Sequence, residues 1–408
     1  MKSNFDEIGK YTTKIILFFV VALVTFAVAM RELSFGWSDF SAHMTYAVNF
    51  RREFLKLFNS VSDFPHQILY PLWHIPVNIA YKLSRLIFGE MLGPEYSAAI
   101  VTALVNGLVF LVTEKILATY QCRGSEFIAF GLSFVMPYVI PRWHDKIFYF
   151  GQSSPVIWHN PTNMIVKIFA LIGFFLVIRI LRIMDEKKTP SRRDYLLLTA
   201  VVFLSVIAKP SFFQGFVPAL GIYIIIHLIR TKFTAFRNYC LLCACFVPAF
   251  FIILFQYFLS FYLGENGEGI GIGWLNVANK FYPNPWVHLL LALFFPVCYM
   301  VFNPVKVLRS LEIRLSVLYL ICAWLEFALF YEKGIRMYDG NFEWALCLAF
   351  AVLWLSVSIS FFRDWQNMDL SKTVVRVKNS FLFVFWLLHI VFGTIFLYNL
   401  FTAPKLYF

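Results

Sequence analysis

Charge is scarce in this chain. Only 14% of its 408 residues are Asp, Glu, Lys or Arg, while 60% are hydrophobic. So little polar material cannot cover a domain of this size in water, which excludes a soluble globular class. Glycosylation sequons are also missing, since Asn160 is followed by Pro and no other Asn stands two residues before Ser or Thr. That absence points away from a secretory-pathway glycoprotein and towards a bacterial inner membrane. The seven cysteines lie at Cys122, in the trio Cys240, Cys243 and Cys245, and singly at Cys298, Cys322 and Cys347. They form no disulfide framework, and the trio has no nearby His or Asp to complete a metal set. No internal repeat and no separate soluble domain interrupts the pattern.

What is present is a succession of apolar runs rich in Phe, with 49 in the chain and a mean hydropathy of +0.71. The fold class is therefore all-α, a polytopic transmembrane helix bundle. The net charge of +12 sits in short clusters between those runs rather than along one basic face. These clusters read as topology signals and not as a nucleic-acid surface. Lys2, Lys10 and Lys14 precede an apolar run from 15 to 30, which exceeds the ~7 to 15 residues of a signal h-region, so an uncleaved first span is expected despite the sequence Ala27-Val28-Ala29. The positive-inside rule then puts the N-terminus in the cytoplasm.

About 11 spans are expected: the first, then approximately 97 to 118, 126 to 141, 164 to 182, 195 to 209, 212 to 229, 239 to 262, 286 to 302, 315 to 331, 344 to 362 and 380 to 400. This places the basic linkers 182 to 194 and 230 to 238 inside. It holds only if residues 66 to 88 lie on the bilayer surface. Two surface helices, 39 to 58 and 66 to 88, thus occupy the first extracytoplasmic loop. In the former, Phe50, Phe54 and Leu57 form an apolar stripe and Arg51, Arg52, Glu53 and Lys56 a wet side.

Three constellations on the outer side can carry chemistry. Ser38 is a natural N-cap, placing Asp39 in the first turn with His43 one turn on. A carboxylate there can take a proton from a hydroxyl nucleophile, though it is also what the first turn of any surface helix favours. Asp63 and His66 form a reserve pair. The loop PRWHDKIFYFGQSSPVIWHNPTNM supplies Arg142 and His144 for phosphate and Trp158 for stacking on a sugar, beside His159. In it Asn160 caps a helix that begins at Pro161, whose positive end is an anion site; an aromatic belt over a capped helix is the plainer reading. In AKPSFFQGFVPALG, Lys209 interrupts two apolar runs. Residues 195 to 208 reach about 21 Å at ~1.5 Å each, short of the ~30 Å hydrocarbon, so the ammonium is recessed and needs an anion or water unless it snorkels. Lys333 and Arg336 add cations, Glu326 and His389 lie inside spans, and the glycines of ENGEGIGIGW lack any β-α-β context for a nucleotide loop.

With its first span, long outer loop with two surface helices and early acid, the chain resembles the polytopic glycosyltransferases of the GT-C superfamily. The stretches SDFSAHMTYA, FPHQILYPLWH, GQSSPVIWHNPT and AKPSFFQGFVPALG are similar to those of uncharacterised bacterial membrane proteins placed there. The likeness covers approximately residues 1 to 262, a catalytic module, leaving 263 to 408 as C-terminal helices. It implies inverting transfer from a polyprenyl-phosphate-linked sugar donor to an extracytoplasmic glycan or lipid acceptor. Asp39 would be the base. Lys209, Arg142, His144 and Arg336 would hold the phosphate, Trp158, His159 and Asn160 the sugar, and His43 would orient Asp39 or touch the phosphate. The family's adjacent acidic pair is missing, so no metal or other cofactor is indicated. An O-antigen-type glycan polymerase and a lipid-linked glycan flippase are the alternatives.

Overall fold

The computed structural model describes residues 2–36, 38–59, 65–138, 160–263, 269–282, 284–369 and 371–402. It is mostly helical. The first span is α1 (Lys2–Ser34), followed by α2 (Asp39–Val48), α3 (Phe50–Asn59), α4 (Pro71–Phe88), α5 (Pro94–Thr119) and α6 (Ser125–Leu132). Then come α7 (Pro161–Asp185), α8 (Arg192–Ala208), α9 (Ser211–Arg230), α10 (Phe236–Ala244), α11 (Val247–Tyr257) and the short α12 (Ala278–Phe281). The chain ends with α13 (Pro285–Ala292), α14 (Phe294–Phe302), α15 (Pro304–Arg309), α16 (Leu311–Leu329), α17 (Glu343–Gln366) and α18 (Thr373–Thr402). A two-stranded antiparallel ribbon, β1 (Ile270–Ile272) with β2 (Phe330–Glu332), pairs Ile270 with Glu332.

Among the described residues, seven segments are long and apolar enough to cross a membrane, and the pair α13 and α14, bent by 70°, makes an eighth if its two helices form one span. The chain is a multi-pass helical membrane protein. Exposed side chains such as Phe19 and Leu23 on α1 and Phe250, Phe251 and Leu254 on α11 give it an apolar exterior, the surface that lipid requires. At its centre is α17, hydrophobic on every side and buried from Trp344 to Ile359, as expected for a helix surrounded by others. Close approach is set locally: a Cβ built on Gly107 of α5 would lie 2.4 Å from the Phe18 ring of α1.

The bend in the α13–α14 pair has a cause. Pro296 has no N–H to offer the carbonyl four residues back, and that carbonyl, on Ala292, instead accepts from the indole of Trp354 at 3.1 Å. The remaining three expected crossings fall short of the length and composition of the others. The stretch expected to span from residue 126 is not one helix: α6 ends at Leu132, and after a turn the chain is non-helical from 135 to 138. Its amides are satisfied by other helices, Met136 N donating to His389 O at 3.1 Å and Tyr138 N to Leu291 O at 3.2 Å. That is how non-helical backbone survives inside a bundle. Helix α8 has 17 residues and α16 has 19, the latter carrying Glu312, Arg314 and Glu326.

The two helices expected on the bilayer surface differ from expectation in three ways. The helix foreseen over 39 to 58 breaks at Asn49, whose N–H and side-chain amide both return to Thr45 O. Such self-capping is what Asn does at a helix end. Glu53, expected on the wet side, is buried against Arg52 and Lys56. Residues 66 to 69 form a single 3-10 turn, and α4 proper starts at Pro71. The core crosses the expected boundary at 262, since Phe212 and Phe216 of α9 pack on Tyr319 of α16.

Candidate functional site

At one end of the bundle, the end where α1 stops and α7 begins, lies a cleft of about 150 Å³. Each of its walls is a helix end or the loop beside one. The first is the start of α2. Ser38 and Ser41 exchange capping bonds, Ser41 N donating to Ser38 Oγ at 3.2 Å and Ser38 N to Ser41 Oγ at 2.9 Å. This reciprocal cap fixes the first turn and leaves Asp39 exposed on the cleft wall.

The second wall is the start of α7. Asn160 Oδ1 accepts from Asn163 N at 3.3 Å and from Thr162 Oγ1 at 2.5 Å. With its oxygen so engaged, the amide must present its nitrogen to the cleft, and Nδ2 lies 3.5 Å from Asp39 Oδ2. The helix cap thereby also addresses the acid.

The third wall is the break between α8 and α9. Lys209 is the residue that ends α8, 7% exposed, with Nζ 4.7 Å from the centre of the Trp344 ring. Burial pushes its ammonium down to about 7, and the charges of Asp39 and Glu332 partly oppose that while Arg336 adds to it. A lysine so placed keeps its proton only with an anion close by. The neighbouring turn is held by Ser211 Oγ donating to Asn163 Oδ1 at 3.0 Å.

The fourth wall is β2 and the 3-10 turn after it, positioned by pairing with β1. There the Arg336 guanidinium lies between Glu332 (3.2 Å) and Asp339 (2.9 Å). Burial pushes the Glu332 carboxyl upward, opposed by Arg336. Gln256 of α11 closes the floor, its amide donating to Leu69 O and Val206 O, both at 3.2 Å.

Behind the acid wall is a histidine relay. His43 is buried and its Nδ1 lies 2.9 Å from His74 Nε2, while His74 Nδ1 lies 2.9 Å from Tyr70 O. A carbonyl can only accept, so His74 carries its proton on Nδ1 and its Nε2 accepts from His43 Nδ1–H. Burial drives His74 down to about 4, keeping it neutral. In a neutral His43 ring the proton is thereby on Nδ1 and the lone pair on Nε2.

Five expected residues therefore meet: Asp39, His43, Asn160, Lys209 and Arg336. Arg142, His144, Trp158, His159 and Asp63 lie outside the described residues, as does the side chain of His66. Lys333 is exposed and does not line the cleft. Arg336 is paired with Glu332 and Asp339, not with Glu326. His389 is tied to Met136 O at 2.7 Å and receives Phe295 N at 3.4 Å, a structural role. Sequence reasoning missed Glu332, Gln256 and Asn341 in the lining. The signal for Glu332 was its place four residues before Arg336; a lone Gln in an apolar helix was the signal for Gln256. Among the described residues, no group of three or more His, Cys, Asp or Glu side chains could hold a metal ion.

No known family model matches this chain, and no curated protein sequence matches it.

Proposed function

We propose that the protein is an integral-membrane glycosyltransferase of GT-C type. It transfers a sugar from a polyprenyl-phosphate-linked donor to an acceptor hydroxyl on the extracytoplasmic side of a bacterial inner membrane. The observation that carries this reading is the convergence of Asp39, Lys209 and Arg336, from three distant parts of the chain, on one cleft at one end of the bundle. In this reading the N-terminus is cytoplasmic and α8, α16 and the segment 126 to 141 complete eleven passages, so that the cleft opens outward.

The chemistry is a single displacement. The Asp39 carboxylate takes the proton of the acceptor hydroxyl, the oxygen's electron pair forms a bond to the anomeric carbon, and the bond from that carbon to the phosphate oxygen breaks. The electron pair leaves on polyprenyl phosphate. Lys209 and Arg336 supply the positive charge that such a leaving group needs in a site sheltered from water. The apolar side chains of Ile253, Phe261 and Phe342 on the same cleft suit the lipid chain next to its phosphate. Asn160 holds Asp39 in place, and the relay through His74 sets the His43 tautomer. A glycan polymerase would use the same donor and differs in joining whole repeat units. A flippase would need polar groups distributed through the spans, whereas the cleft gathers them at one end.

The test is surface-glycan composition in cells lacking the protein, rescued with wild type or with Asp39→Asn at equal membrane abundance. Loss of one sugar or polymer, restored by wild type alone, supports transfer with Asp39 as base. Such a base contributes roughly 10² to 10⁴ in rate. Full rescue by Asp39→Asn removes it from the chemistry, and loss of whole repeat units in place of one sugar favours the polymerase.

A further inference from the structure

A second cavity, of about 560 Å³, lies between α9 and α16 at the opposite end of the bundle from the cleft. Helix α9 starts beside Lys209 and ends at Arg230 after 20 residues, ~30 Å away at 1.5 Å each. On α9 the cavity is lined by Tyr223, Ile226, His227 and Arg230. On α16 it is lined by Arg314, Val317, Leu318 and Ile321. Both sets have the spacing i, i+3, i+4, i+7, which is one face of a helix.

Since α9 ends where α16 begins, the two faces run antiparallel and their cations coincide. Arg230 and Arg314 are both exposed and line the cavity at that end, and Ile226 and Ile321 lie one and two turns further in, 44% and 48% exposed. The groove therefore changes from dicationic to apolar over ~10 Å, about two helical turns. Neither arginine has an ion-pair partner among the described residues. The one acid on the wall, Asp185, is turned to His227 (Oδ1 to Nε2, 3.4 Å), whose Nδ1 meets Tyr239 Oη at 2.7 Å.

We infer that this groove is a binding site for an anionic phospholipid of the leaflet on the side of the basic linkers. The phosphate lies between the Arg230 and Arg314 guanidinium groups, and one acyl chain follows Ile226, Leu318 and Ile321. Guanidinium forks match phosphate oxygens, and basic pockets between membrane helices on that side are suited to such headgroups. The site does not depend on the glycosyltransfer reading, since it shares no residue with the cleft.

The experiment is native mass spectrometry of the purified full chain in detergent, titrated with dioleoyl phosphatidylglycerol or dioleoyl phosphatidylcholine. Free glycerol 3-phosphate is the competitor that separates a headgroup from a whole lipid. Wild type is expected to bind phosphatidylglycerol about tenfold or more in preference to phosphatidylcholine, with no displacement by glycerol 3-phosphate at equal concentration. The double variant Arg230→Gln/Arg314→Gln loses that preference. Arg192→Gln/Arg193→Gln, which removes two exposed cations at the same end outside the groove, retains it. Ile321→Trp, filling the groove with both arginines intact, also loses phosphatidylglycerol and guards against misfolding of the double variant. The inference is overturned if the double variant keeps the preference. It also fails if the Arg192/Arg193 control loses as much, which would make the effect diffuse surface charge, or if glycerol 3-phosphate competes equally.

Discussion

If Lys209 holds the lipid phosphate, binding must depend on pH in a way that belongs to this residue alone. Burial places its ammonium near 7, so about half is charged at pH 7 and about a tenth at pH 8. A bound phosphate raises that value, because opposite charge favours the protonated form. The sign follows: affinity is full below about pH 7 and is lost as pH rises. Its logarithm falls with a slope approaching −1 until the pH reaches the raised value in the complex. Each pH unit in that window removes about tenfold, or roughly 1.4 kcal/mol. The probe is polyprenyl phosphate, whose own second ionisation, near 6, is complete by then. Equilibrium binding to solubilised protein by microscale thermophoresis between pH 6.5 and 9.5 reads the slope. Lys209→Arg keeps its charge throughout and should bind with a flat profile; Lys209→Met should be flat and weaker. Glu332 faces Lys209 across the cleft and burial pushes its carboxyl upward too, so Glu332→Gln serves as the control and should keep the slope. A flat wild-type profile refutes the assignment, as does an unchanged slope in Lys209→Met.

Two further outcomes concern the scaffold. A Cβ at Gly393 of α18 would lie 1.8 Å from Phe134 O, a backbone atom that cannot step aside. Gly393→Ala should therefore destabilise by roughly 1 to 3 kcal/mol and lower the midpoint of detergent thermal unfolding, and an unchanged midpoint would show that the crossing is looser. Asn78 donates to Ala47 O at 2.8 Å and Val48 O at 3.0 Å. Asn78→Ala should cost about 1 to 3 kcal/mol in the hold on α2. Protease cleavage in residues 39 to 59 should rise well before global unfolding does, and cleavage that tracks unfolding would refute the clamp.

Helical character and the site's acid, cap and recessed lysine are readable from the chain because each is a local matter. Ser38 beside Asp39 and Asn160 before Pro161 are cap sequences whose geometry depends on four or five residues. Lys209 announces itself by interrupting an apolar run. Glu332 does not, because an acid with Lys333 and Arg336 at hand has several local partners, and only the pairing of β2 with β1, some sixty residues earlier, turns its wall to the cleft. The break at Asn49 was hidden by the stripe of Phe50, Phe54 and Leu57, which continues across it. The end of α6 was hidden likewise, since the apolar residues after Leu132 are equally suited to a helix or to the non-helical course that His389 O and Leu291 O make possible.

Asn78 and Gln256 share a habit: each uses a side-chain amide to grasp main-chain carbonyls, Asn78 at the end of α2 and Gln256 just before α4. The segment that carries Asp39 is thus fastened by its main chain as well as by side chains such as His43. Positions such as Ala42, which face the cleft from that segment, can be exchanged without loosening the fastening. That wall can therefore vary at such positions in what it admits, while Asp39, Lys209 and Arg336 keep their charges in place.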